Sequence, residues 1–268
     1  MKDLAIQVCA EPGTDGARRN RLREYLQHAV LRALFERDVL AGLVFHGGTA
    51  LRILHDLPRY SEDLDFHHAS PDNDVDLGET LAFLLADLER SGYEIVLAPK
   101  LADNVHSCAV KFVGLLYECG LSPRPEARLS IKLEIDRRPP TGFGIEVSSV
   151  DLYFPYVVRH HDRPTFIAGK LHAVLERPYP KGRDYYDLLF YLRRWDQTEP
   201  NLAYLTNALR QTEYEGETIT ADNWRGIVAA KVEAVDWAQV VADVDPFLLR
   251  EADASALRKE RLLQLLGG

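Results

Sequence analysis

Apolar side chains recur at three- and four-residue intervals between Arg18 and Asp38, through Leu22, Tyr25, Leu26, Ala29, Val30, Ala33 and Leu34. That spacing lines one face of an amphipathic helix. The pattern then changes. Leu43-Val44-Phe45 is a short apolar run ending in His46-Gly47-Gly48-Thr49, and Ala50 to His55 resumes helical spacing through Leu51 and Leu54, which predicts strand, glycine turn, helix. A second strand is predicted over Leu64–His67, and a helix over Asp76–Arg90 with Gly92 as its stop. Tyr93–Leu97 and Ala109–Leu116 read as further strands. From Leu129 to Asp136 apolar and polar residues alternate strictly, so Lys132, Glu134 and Asp136 share the polar face of a strand. Pro139-Pro140 closes it, and Glu146–Tyr153 reads as the last strand before Pro155.

Beyond Pro155 the periodicity is helical. Helices are predicted over Thr165–Glu176, Arg183–Trp195, Asn201–Gln211, Ala221–Ala234 and Ala254–Leu266, separated by Pro178, Pro180, Pro200 and Pro246. The expected class is therefore α+β: a domain over residues 1–155 with a mixed sheet and flanking helices, then a helical domain over 156–268.

Composition narrows the function classes. The 268 residues are 46 % hydrophobic and 27 % charged, with 32 basic and 41 acidic side chains and a net charge of −9. Such a chain buries a core without disulfide or metal staples. Cys9, Cys108 and Cys119 are widely spaced and form no zinc-ligand pattern, which favours a reducing compartment. Signal-peptide and membrane-span patterns are missing, so the expectation is a cytoplasmic protein without a membrane partner. The acid excess argues against binding nucleic acid by bulk charge. Charge is nevertheless segregated: Asp56–Asp103 carries 12 acids and 3 bases, whereas Arg159–Arg194 carries 8 bases and 4 acids.

The 22 Asp residues form four DxD triplets, at 63/65, 72/74, 74/76 and 243/245, so spacing alone is uninformative. Asp63-Leu64-Asp65 differs in its setting. It opens an apolar strand and follows Gly47-Gly48-Thr49 by about fifteen residues. Residues i and i+2 of a strand face the same way, so Asp63 and Asp65 can converge on hard cations such as Mg²⁺. Two Mg²⁺ ions can bind a nucleoside triphosphate and need a further acid; Glu134 is the candidate and Asp136 the fallback. Glycines at a helix N-terminus let backbone N–H groups approach phosphate, and the Thr49 hydroxyl can add a donor. A phosphatase that uses a DxD nucleophile would carry Gly-Thr or Gly-Val after the second Asp; here Phe66-His67 follows.

Phe45-His46-Gly47-Gly48-Thr49-Ala50-Leu51-Arg52 with Arg59-Tyr60-Ser61-Glu62-Asp63-Leu64-Asp65-Phe66 resembles the first motif of the AbiEii/AbiGii toxin family, which includes MenT-like toxins and is a branch of the DNA polymerase β-like nucleotidyltransferases. Lys170-Leu171-His172-Ala173, Arg177 and Lys181-Gly182-Arg183-Asp184-Tyr185-Tyr186-Asp187-Leu188 resemble its later Lys-containing and RDxxD motifs. The resemblance implies a polymerase β-like nucleotidyltransferase domain followed by a helical domain that contributes Lys and Asp to the active site. It further implies transfer of NMP from an NTP, with tRNA as the leading acceptor, in a type IV toxin–antitoxin or abortive-infection system with a helix-turn-helix antitoxin.

On the residues themselves, Lys170 stands among apolar neighbours, where a lysine usually snorkels outward but can hold triphosphate charge. Asp184 and Asp187 are three apart on a helix, either as a cap and surface pair or as acids that orient Lys170 or the nucleotide. Arg177, Lys181 and Arg183 would add positive surface for phosphates, and Arg59 and Ser61 could touch triphosphate or acceptor. The histidine pairs His67-His68 and His160-His161 have no partner at ligand spacing, and His46 is expected to cap or pack near the glycine turn. Two rival functions keep the same residues: transfer to a protein or an aminoglycoside-like small molecule, and a nucleotide-binding regulator without catalysis.

Overall fold

The computed structural model describes residues 1–70, 75–250 and 256–267. It divides into two units: residues 1–56, 60–139 and 146–160 form the first, and 57–59, 140–145 and 161–268 the second.

The first unit carries helices α1 (Lys2–Ala10), α2 (Asp15–Glu36), α3 (Gly47–His55), α4 (Leu77–Arg90) and the single turn α5 (Leu115–Glu118). Its strands are β1 (Leu43–His46), β2 (Asp63–His68), β3 (Glu94–Leu101), β4 (Val105–Val113), β5 (Arg128–Asp136), β6 (Ile145–Val150) and β7 (Tyr156–His161), in the sheet order β3-β4-β5-β2-β1-β7-β6. The sheet is mixed: β1 runs antiparallel to β2 and parallel to β7, while β2 runs parallel to β5. Central position explains why Leu43, Val44 and Phe45 are all buried, since a strand covered on both faces reads as a continuous apolar run. α2 buries the predicted stripe from Leu22 to Leu34. Thr14 caps it by accepting from the Ala17 amide, and Asp76 caps α4 by accepting from Glu79; each cap contributes about 1 kcal/mol.

The second unit holds α6 (Arg163–Glu176), α7 (Gly182–Arg194), α8 (Leu202–Gln211), α9 (Trp224–Ala234), α10 (Trp237–Val244) and α11 (Lys259–Leu265). Asp162 caps α6 through the Thr165 amide and Asn201 caps α8 through Tyr204. Gly182 at the start of α7 lies so close to α10 that a Cβ there would meet the Val240 carbonyl at 2.1 Å, so only glycine fits.

Several elements differ from the sequence expectation. The strand predicted to Leu116 ends at Val113, because Gly114 adopts φ +73° and Leu115 and Leu116 turn into α5. The strand predicted over Glu146–Tyr153 ends at Val150, and Tyr153 and Phe154 instead pack on Tyr25 at 5.1 and 5.6 Å. β7 follows Pro155, where the pattern reads as almost entirely helical; Tyr156, Val158, His160 and His161 are its buried residues. α1 and α10 are additional helices, and α3 begins at Gly47 rather than after the glycines. Asp72 and Asp74, and the predicted helix start at Ala254, lie outside the described residues. No helix among the described residues is long and apolar enough to cross a membrane.

Candidate active site

In the first unit the acids are set by strand register. β2 pairs with β5 so that Asp63 faces Lys132, Asp65 faces Glu134 and His67 faces Asp136. Residues in register project to the same side of a sheet, as do residues two apart on one strand. Asp63, Asp65 and Glu134 therefore share one face. Each is half-buried, while the intervening Leu64, Phe66, Leu133 and Ile135 enter the core. Asp136 lies one pair further along, opposite His67; its carboxyl is pushed up by burial and accepts from the Arg138 amide at 2.9 Å.

The glycine turn closes on this face. Gly47 has φ +76°, and a Cβ on it would lie 2.5 Å from Oδ2 of Asp65. Glycine is thus required twice, by its backbone angle and by the carboxylate that fills the space of a side chain. Thr49 is fully buried, and its hydroxyl donates to the Asp63 carbonyl, tying the first turn of α3 to the start of β2. Gln27 of α2 donates from Nε2 to the carbonyls of Ser61 and Glu62 at 3.1 and 3.0 Å, just before the first acid.

Clustered carboxylates repel unless a cation stands among them. Lys132 supplies one: its Nζ is 2.9 Å from Oε1 of Glu134. The hydrogen bond to Glu134, with the charges of Glu134, Asp63 and Asp65, raises its pKa against a smaller opposing effect of burial. Among the described residues, no three His, Cys, Asp or Glu side chains already converge on a point that could hold a metal. The donor chemistry nevertheless suits a hard dication: carboxylate oxygens on one face, beside a lysine ammonium.

In the second unit a different cluster is built from α6, α7 and the segment Leu57–Arg59. Arg59 is 2 % exposed and grips Asp187 with two parallel hydrogen bonds, Nε to Oδ1 and Nη2 to Oδ2, each 2.7 Å. Lys170 Nζ reaches Oδ1 of Asp184 at 2.8 Å and Oδ2 of Asp187 at 2.7 Å. Arg177 Nε lies 2.9 Å from Oδ2 of Asp184 as an ion pair. Burial disfavours all these charges, yet the pairings prevail: Lys170 and Arg59 are raised and Asp184 is lowered. Beneath them burial pushes the Tyr191 phenol well up, and its ring stacks on Trp195 at 4.8 Å.

The sequence matches the family described as "Nucleotidyl transferase AbiEii toxin, Type IV TA system" over residues 29–259. The chain belongs to the AbiEii family. It is accordingly a nucleotidyltransferase of a type IV toxin–antitoxin family. Among solved structures it is similar to JHP933 from Helicobacter pylori, with TM-score 0.52 and 21 % identity over 91 % of this chain and 90 % of that one. It is also similar to a putative nucleotidyltransferase from H. pylori, with TM-score 0.49 and 20 % identity over 90 % and 92 % of the two chains. No curated protein matches the sequence significantly.

Within this AbiEii chain the first unit brings together Gly47, Thr49, Asp63, Asp65 and Glu134, with the buried Gly48 in the same helical turn. The second brings together Arg59, Lys170, Arg177, Asp184 and Asp187. Ser61 is half-buried and engaged through its carbonyl. Arg183 is engaged elsewhere, its amide 3.2 Å from the Asp243 carboxylate and its guanidinium 4.4 Å above the Phe247 ring; Lys181 is exposed. The histidine pairs are buried: His160 bonds Ser148 at 2.9 Å, and His161 packs against Phe143 and Phe166. Lys132 is the neighbour of the acids that the motifs did not single out. Its signal was its place two residues before Glu134 on the alternating strand.

Proposed function

We propose that this nucleotidyltransferase moves NMP from an NTP onto the 3′ end of tRNA, acting as a toxin in the cytoplasm and held in check by a helix-turn-helix antitoxin. The β2–β5 register carries the proposal: it sets Asp65 beside Glu134 with Asp63 on the same face, while the glycine turn packs on Asp65. Asp63, Asp65 and Glu134 would hold Mg²⁺, which when bound supplies charge neutralisation for the phosphates and lowers the pKa of a coordinated hydroxyl. The amides at Gly47 and Gly48 would face phosphate oxygens at the α3 N-terminus. Lys170, held by Asp184 and Asp187, would offer positive charge to phosphate.

In the reaction the acceptor hydroxyl oxygen bonds to the α-phosphorus as the bond from that phosphorus to the β-phosphate oxygen breaks. Pyrophosphate leaves with the electron pair, and a Glu134 carboxylate oxygen takes the hydroxyl proton. The deciding experiment incubates the purified protein with Mg²⁺, deacylated total tRNA and each labelled NTP in turn. Label on tRNA is expected, and none with Asp63→Asn. Label on protein or on a small molecule would replace the acceptor; NTP binding without pyrophosphate release would replace catalysis with regulation.

A further inference from the structure

A pocket of about 340 Å³ opens beside Asp63, within the first unit. Its charged lining is Arg19 and Arg23 of α2, Arg128 and Lys132 of β5, and Glu62 with Asp63, four cations against two acids. Sequence windows conceal this patch because its parts come from distant segments. Arg19 and Arg23 stand one helical turn apart, and Arg128 and Lys132 lie on the polar face of β5 that continues to Glu134. Internal contacts hold three of the cations in place. Arg19 donates to the Leu121 carbonyl at 3.4 Å, Arg23 pairs with Glu62 at 3.3 Å, and Lys132 pairs with Glu134 at 2.9 Å. Arg128 is exposed.

We propose that this pocket receives the phosphodiester backbone of the acceptor strand next to its reacting hydroxyl, so that the acceptor is a nucleic-acid end and not a protein or a neutral small molecule. The proposal rests on the transferase reading above. Two observations lead to it. The glycine turn packs against Asp65, whereas the pocket is lined by Asp63, so the two lie at successive positions on the acid row. In-line phosphoryl transfer needs attacking and leaving groups at opposite ends of the reacting phosphorus. If the triphosphate occupies the glycine side, the acceptor enters from the Asp63 side, where cations are gathered. A surplus of cations is the recognition chemistry of phosphates, and it positions a strand without reading its sequence.

The test measures equilibrium binding with Mg²⁺ present and one substrate at a time, so that no turnover occurs, for the wild type, Arg128→Glu and Lys100→Glu, the last an exposed charge reversal on β3. The probes are deacylated tRNA and each NTP. Arg128→Glu is expected to weaken tRNA binding about tenfold and to lower the slope of log affinity against log salt by about one. Lys100→Glu should leave tRNA binding unchanged, and NTP binding should be the same in all three proteins. Unchanged tRNA affinity in Arg128→Glu, or an equal loss in Lys100→Glu, would overturn the proposal. So would weaker NTP binding without weaker tRNA binding, since the pocket would then serve the triphosphate, or undiminished labelling of a protein acceptor by Arg128→Glu. Arg128-dependent tRNA binding in a wild type that transfers no nucleotide would instead sink the transferase reading and leave the pocket standing.

Discussion

The two charge clusters use the same residue types and are built on opposite principles. In the second unit Arg59, Lys170, Asp184 and Asp187 are buried, and each charge meets an opposite one within 2.7–2.8 Å. In the first unit Asp63, Asp65 and Glu134 lie in a half-buried row on one sheet face, with Lys132 paired to Glu134. A buried, paired cluster costs desolvation and cannot lose a member cheaply. A row of acids on an accessible face resists folding slightly and gains when a cation arrives. The contrast separates charge paired in the interior from charge left accessible along one sheet face.

The largest effect should come from breaking the buried cluster. Asp187→Ala strands the Arg59 guanidinium and is expected to cost about 3–5 kcal/mol in urea unfolding. Replacing both partners, Arg59→Met with Asp187→Leu, should recover much of that loss, because no uncompensated charge remains. If Asp187→Ala left stability unchanged, the two clusters would not differ in kind. Next comes Asp63→Asn, expected to lower the rate of nucleotide transfer at least about 100-fold, the scale of one lost electrostatic contact to the reacting groups. Its unfolding midpoint should hold or rise; a fall would place Asp63 among the structural charges.

Gly47→Ala should cost about 1–3 kcal/mol, from its positive φ and the nearby Asp65 carboxylate. Transfer should drop with it, which a combined denaturation and rate measurement would detect. The smallest effect is in pH. Asp184 has its carboxyl held below the ordinary 3.8 by Lys170 and Arg177 despite burial. Its contribution is therefore complete above pH 3.8 and is lost as pH falls through the lower folded value. The stability gap between wild type and Asp184→Asn should be flat from about pH 5 to 9 and narrow below 3.8. Lys170, raised above 10.5, contributes fully below that pH and loses its share only in stronger alkali.

Where local pattern decides structure, the chain was legible. The α2 stripe, the β5 alternation and the glycine turn before Asp63 each lie within one short window. The errors arose where side-chain identity misleads. Tyr156-Val157-Val158-Arg159-His160-His161 ends in residues that count as polar, yet His160 is fully buried and bonded to Ser148. Leu115 and Leu116 read as strand, and only the left-handed Gly114 before them turns the chain. At the site, the neighbourhood of Asp63 and Glu134 was readable from alternation, but their register was not, since pairing joins residues about seventy positions apart. For the same reason Arg59 could be read as a phosphate ligand, although its partner Asp187 lies 128 positions away and holds it in the interior.

The excursion of Leu57–Arg59 into the second unit has a practical consequence for dissecting the protein. The chain leaves the first unit after Asp56 and returns at Tyr60, three residues before the first acid. No single cut therefore separates the two units cleanly. A fragment ending near residue 160 would keep Arg59 but lack Asp187, leaving a guanidinium and the fully buried Leu57 without the surroundings that cover them. Circular permutation or cleavage beside Tyr60 would be needed to ask what either half does alone.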